Sequence, residues 1–152
     1  MGARDRLEAL GLKLPAAMPP AFEYVPVVTH AGLAWVSGQI PRAGTEVLTT
    51  GKVGAEVDLE VARAAARACV LQGLAQLESA LGSLDRVTRV LKVTGFVASA
   101  PGFVQQPQVI DAASQLLVQA FGEAGRHARS AVGVAELPRG VPVEIEFVVA
   151  LS

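Results

Sequence analysis

Cysteine occurs only once, at Cys69, which excludes an internal disulfide. The only histidines, His30 and His127, lie far from it in the chain, so the ligand set of a structural zinc site is missing. Charged residues make up 18% of the chain, where a soluble domain usually carries about 25%. The net charge is −1, and no basic footprint for nucleic acid is visible. No uncharged apolar run reaches the roughly 18 residues that a spanning helix requires. The opening "MGARDRLEALG" has acidic residues and no long apolar stretch, unlike a secretory signal. These absences point to a cytoplasmic chain with no metal, no membrane and no nucleic-acid partner.

Apolar residues, by contrast, are plentiful. They form 51% of the 152 residues, and the mean hydropathy is +0.43. A chain of this length buries roughly 70% of the surface it exposes when unfolded. The shortage of charge then predicts that part of the outer surface is covered by other subunits, because large apolar patches are seldom left bare.

Residues 3 to 10 can form a short helix that stops at Gly11, and "LPAAMPP" forces an extended connector. This N-terminal piece, residues 1–20, precedes one domain over 21–152. "FEYVPVVTH" and "LAWVSGQI" read as strands around the turn "HAG", with Pro26 weakening the first. Residues 41 to 57 read as a loop. Asp58 is a suitable N-cap for a long helix ending near Gly82. Val70, Leu74, Leu77 and Leu81 make its apolar stripe, beside a small-residue face of Ala62, Ala65, Ala66, Cys69 and Gly73. "RVTRVLKVTGFVA" is a β-branched strand. A second helix follows Pro107, with Ile110, Ala113, Leu117 and Phe121 inward. Residues 129 to 136 and 142 to 151 are the last strands. This order predicts an α+β fold, a sheet covered by helices on one face.

Several side chains could carry chemistry. Arg129 shares a strand face with Ala131, Gly133 and Ala135. Space over such small neighbours would let a guanidinium grip a carboxylate through two parallel hydrogen bonds. Equally, a helix could pack there while Arg129 pairs with Glu144 or Glu146, and structural ion pairs of that kind are common. Glu144 and Glu146 point to one side of the final strand. They could include a general base with a burial-raised pKa, or they could simply be solvated. Their neighbours Val148 and Ala150 are apolar, so that face is expected to be partly covered. Ser37 and Gly38 end the second strand, without the Gly-x-Ser-x-Gly elbow of a serine nucleophile. Tyr24, the only tyrosine, is either a core aromatic or a phenolic donor at a pocket. Arg126 and His127 read as a solvated turn or a small anion patch, and Cys69 as packed and inert.

In this order, "EYVPVVTHAGLAWVSGQIP", "SLDRVTRVLKVTGFV" and "ARSAVGVAELPRGVPVEIEFVVA" resemble the YjgF family, also called the reactive-intermediate deaminase family. The resemblance runs from about residue 22 to 151. It implies a chorismate-mutase-like fold with two helices on one face of a mixed sheet, assembled as a homotrimer with sites between subunits. It also implies hydrolysis of reactive 2-imino or enamine acids to 2-keto acids and ammonia, without cofactor, on a small carboxylate-bearing substrate. The family's carboxylate-binding arginine falls on Arg129 and its water-orienting acid on Glu144. The pocket tyrosine falls on Tyr24, and the opposite wall on Ser37 and Gly38. Backbone N–H groups at Gly38 or Ala131 would orient the substrate. The sequence departs from the family pattern at Ala131, where cysteine is frequent, at His127, where proline is frequent, and at Asp111 or Ala112, where a pocket asparagine is replaced. The loop after "SGQIP" is also longer. These departures imply a divergent subgroup and leave two alternatives, a non-catalytic carboxylate-binding trimer and the endoribonuclease or translation-inhibitor activity described for some members.

Overall fold

The long central helix α2, Leu59–Leu81, begins where Asp58 accepts a hydrogen bond from the Val61 N–H (2.8 Å) and ends at Gly82, as its caps predict. In the computed structural model, which describes all residues from Met1 to Ser152, the other elements are α1 (Ala3–Ala9), β1 (Val27–His30), β2 (Leu33–Gln39), β3 (Arg42–Ala43), β4 (Glu46–Val47), β5 (Val87–Ala98), α3 (Gln106–Phe121), β6 (Ala128–Val134) and β7 (Val143–Leu151). The expected element order is present. Two details differ. The first strand starts only after Pro26, which cannot donate to a ladder. Within the expected loop, Arg42–Ala43 and Glu46–Val47 pair as a two-stranded hairpin, too short to leave an alternation signal.

The main sheet has the order β1-β2-β7-β5-β6. Every pairing is antiparallel except β5 with β6. That parallel pair is joined through α3, as a parallel connection requires, and leaves β6 at an edge. Helices α2 and α3 pack on one face of the sheet. Val36, Val93, Val97, Val143, Ile145, Phe147 and Val149 are buried beneath them. Their mates point the other way. On that second face Val28, Trp35 and Val132 are exposed, and no element of the chain covers them. Helix α1 closes the helical layer: Leu7 is buried in the same core, and α1 lies against α3. No helix is long and apolar enough to cross a membrane.

The apolar stripe of α2 is buried at Val70, Leu74 and Leu77. Its small-residue face does what small residues allow, a close approach to the sheet. A Cβ on Gly73 would stand 2.5 Å from Cε1 and 2.6 Å from Cζ of Phe147, a ring fixed in the core. Gly73→Ala is therefore expected to destabilise the protein. The overpacking costs about 1–3 kcal/mol, offset by roughly 1 kcal/mol of helix propensity. A fall in Tm of about 2–4 °C per kcal/mol of net loss would report it; an unchanged or higher Tm would contradict the close approach.

Candidate functional site

The site is built around an irregularity in β2. Its pairing with β7 jumps from Val36↔Phe147 to Gln39↔Ile145, so β2 carries one extra residue there, a β-bulge. Ser37 and Gly38 occupy the bulge. The Ser37 N–H donates to Pro26 O (2.9 Å) and its hydroxyl to Val25 O (2.7 Å), which ties the bulge to the chain entering β1. Ser37 is thus a structural donor, and its hydroxyl is already committed. Gly38 leaves room for the Glu144 carboxylate: a Cβ there would lie 3.1 Å from Glu144 Cδ and push the carboxylate aside.

Glu144 lies on the face of β7 opposite the buried Val143 and Ile145. It is half-buried and has no cation paired with it. Burial raises its pKa above the ordinary carboxylate value, and the charge of Glu146 adds to the rise. Glu146 itself is exposed. Glu144 and Gly38 open onto a cavity of about 430 Å³ that Tyr24, Gln76, Arg42 and Arg139 also line. The connector from Met18 to Phe22 forms its apolar wall, with Gln76 donating to Met18 O (2.7 Å). Tyr24, Gly38 and Glu144 therefore line one cavity, and Ser37 stands beside it.

Arg129 stands elsewhere. It pairs across the parallel ladder with Val93, whose side chain is buried under the helices. The guanidinium lies on that helix-bearing face at the edge strand, donating through Nη1 to Ser114 Oγ (3.1 Å) and Asp111 Oδ1 (3.4 Å) on α3. A helix does pack over Arg129's neighbours, but its acid partner is Asp111 rather than Glu144 or Glu146. The room over Gly133 is closed by Gln106 and Ser99, and Ala131 packs against the core. Within one chain, Arg129 and Ala131 sit on the opposite sheet face from Glu144.

The surroundings of Arg129 are ordered. The His127 Nδ1–H donates to Gly125 O (2.6 Å), so Nε2 accepts from Ser114 (2.9 Å). Burial, with a smaller push from the Arg129 charge, lowers the His127 pKa and favours this neutral ring, against the pull of the Gly125 carbonyl. Cys69 is buried, and burial, with Glu144 nearby, pushes its thiol well up, so it is inert. No group of three His, Cys, Asp or Glu side chains is placed to hold a metal. Arg42 and Arg139 were not singled out from the sequence. Arg42 begins the unexpected hairpin, and Arg139 adopts a left-handed backbone (φ 58°) that its "LPRG" setting announces only as a turn.

The raised pKa of Glu144 has a sign that can be measured. A carboxyl whose folded pKa exceeds its unfolded value adds stability that is fully present below the ordinary glutamate range. That stability is lost as the pH rises through the folded value. Glu144→Gln does not titrate, so its stability relative to wild type is expected to grow between about pH 4 and pH 7. Urea denaturation across that range checks this, and a pH-independent difference would contradict a desolvated Glu144.

Comparison with known proteins agrees with this architecture. The family described as "YjgF/chorismate_mutase-like, putative endoribonuclease" matches residues 4–141. Protein TCP17 of Trypanosoma cruzi is 48% identical over 147 residues, covering 96% of this chain and 92% of that protein. The crystal structure of Atu1372 from Agrobacterium tumefaciens, a protein of unknown function, is 44% identical, with a TM-score of 0.90 over 98% of this chain and 91% of its own. A Shewanella oneidensis structure described as a "putative endoribonuclease" is 30% identical, with a TM-score of 0.95 over 99% of this chain and 100% of its own. On its sequence and its mixed α+β fold, this chain belongs to the YjgF family.

Proposed function

We propose that the protein hydrolyses reactive 2-imino acids, the tautomers of enamine acids, to 2-keto acids and ammonia. The observation that carries this reading is Glu144, a desolvated carboxylate with no paired cation, seated against Gly38 at a cavity. A general base works best with a pKa moved toward the working pH, and burial moves Glu144 that way.

The substrate's carboxylate needs a cation, and Arg129 is the family's. Its recorded contacts all use Nη1, so the Nε and Nη2 edge is left for a carboxylate, held by two parallel bonds. Arg129 and Glu144 face opposite sides of one sheet. A single substrate can touch both only if they come from different subunits. The uncovered apolar face at Val28, Trp35 and Val132 supports such an assembly, a homotrimer with its crevices between subunits and the edge strand β6 of one subunit facing the Glu144 cavity of the next.

In that crevice the guanidinium fixes the imino acid with its imine carbon toward a water held by Glu144. Acting on the protonated imine, Glu144 takes one proton from the water as the C–O bond forms, and the C=N electron pair moves to nitrogen to leave a neutral amine. Glu144 returns that proton to the nitrogen, the C–N bond breaks, and the hydroxyl proton passes back to Glu144 as the carbonyl forms and ammonia leaves, to be carried off as ammonium. The reaction consumes one water and needs no cofactor.

A second reading takes its support from Asp111. A clamp whose Nη1 already meets an acid of its own chain could bind small carboxylates without turnover. The endoribonuclease description of relatives is a third, and the net charge of −1 argues against it.

An amino-acid oxidase generating imines in situ separates the three. Ammonia release is expected to be faster with the protein present. Glu144→Gln and Arg129→Ala are each expected to reduce the increment by about 10²-fold or more. Equal rates for wild type and Arg129→Ala would refute the enzymatic reading. Arg129-dependent binding of keto acids in calorimetry without turnover would establish the second, and degradation of RNA by wild type but not Arg129→Ala the third.

A further inference from the structure

We propose that the preferred substrate carries a second anionic group on its side chain, and that Arg42 and Arg139 receive it inside the cavity that Glu144 shares. The proposal rests on the reading of that cavity as the imine site and adds its substrate class. Size comes first. The cavity's 430 Å³ holds at least a dozen water-sized groups at roughly 30 Å³ each. That leaves room for a side chain beyond the smallest 2-imino acids in the part of the cavity that this chain supplies.

Charge comes second. Two guanidinium groups line the cavity against one carboxylate, Glu144, which the reaction needs as a base. Neither arginine belongs to any of the chain's ion pairs. Arg42 Nε is shut off from solvent with no hydrogen-bond partner. A buried donor left unpaired is costly; Oε1 of Gln72, whose amide bonds the Arg42 carbonyl, is likewise unpaired, and the Arg42 Nη atoms are the donors left for a ligand anion. Two charges of like sign in one cavity repel each other, and Glu144 is the one acid among the lining residues.

Both arginines are also held in place. The Arg42 carbonyl accepts from Nε2 of Gln72, a buried residue of α2 (2.8 Å). Arg139 donates from Nη2 to Thr45 O (2.9 Å), at the turn of the same β3–β4 hairpin. Its left-handed backbone (φ 58°) is strained for a side chain of its kind, and such strain gathers at binding sites. The hairpin, absent from the sequence reading, thereby becomes the wall that carries one arginine and anchors the other. A substrate held by a neighbouring subunit's Arg129 at its α-carboxylate would extend its side chain past Glu144 toward this pair. A terminal carboxylate, sulfonate or phosphate satisfies the same donors.

Calorimetric titration with 2-oxoglutarate and with 2-oxopentanoate tests this. The two keto acids have equal main-chain length and differ by a terminal carboxylate. Wild type is expected to bind 2-oxoglutarate about tenfold more tightly or better, the scale of one charge-assisted contact. Arg42→Gln and Arg139→Gln should each bring the ratio close to one, and Arg42→Lys should restore part of it. Thermal melting confirms that each variant is folded, and Arg139→Lys substitutes if the glutamine variant is not. A wild-type ratio within twofold, or a preference that survives both glutamine changes, overturns the proposal. If the ratio is one while Arg129→Ala still weakens both ligands, the imine site stands and only the second-anion pocket falls. If neither keto acid binds wild type, or Arg129→Ala changes neither, the imine reading falls and takes this proposal with it.

Discussion

The contact between the Glu144 carboxylate and the bare backbone of Gly38 is the constraint from which the rest of the site follows. Any side chain at position 38 would strike that carboxylate. The bulge in β2 is what brings Gly38 beneath it, and the bulge is in turn pinned by Ser37 bonding to Val25 and Pro26. Sheet register, turn chemistry and the proline-rich connector therefore converge on one half-buried acid. Its desolvation is a small sacrifice of stability at neutral pH, of the sort that active sites commonly carry. The unpartnered Nε of Arg42 and the left-handed backbone of Arg139 belong to the same pattern. Both line the cavity that Glu144 shares.

Much of the fold was legible because its signals are local. Asp58 and Gly82 announce the ends of α2, and the alternation of Val143, Ile145, Phe147 and Val149 announces a strand with one buried face. The β3–β4 hairpin was not legible, since two-residue strands give no period to detect. Tyr24, Gly38 and Glu144 were found through a family pattern, and they do line one cavity. Alternation says which residues of one strand share a face. It does not say which face of the sheet that is relative to another strand, because that depends on register. Arg129 and Glu144 therefore read as neighbours in sequence logic and lie on opposite faces in three dimensions. The partner of Arg129, Asp111 of α3, was noted only as a departure from the family and not as its ligand. Arg42 and Arg139 escaped notice because an arginine in a turn is ordinarily a solvated one, and Arg139 is indeed exposed while Arg42 is half-buried.

That separation gives the low charge content its meaning. A sheet covered on one face, with Val28, Trp35 and Val132 bare on the other, calls for a second layer that the chain does not supply. Subunits in a closed ring would cover that face and bring an edge-strand arginine to a neighbour's carboxylate in the same step. On the proposed reading assembly and chemistry are one requirement, and a single chain would carry only half a site at each end.

Co-expression of Arg129→Ala and Glu144→Gln subunits tests this division most directly. Each variant alone is expected to be nearly inactive on imines. In randomly mixed trimers, about one crevice in four joins an intact Arg129 to an intact Glu144. The account predicts recovery of about one quarter of wild-type ammonia release. Mixed trimers no more active than the separate variants would place both groups in one chain's site and contradict it.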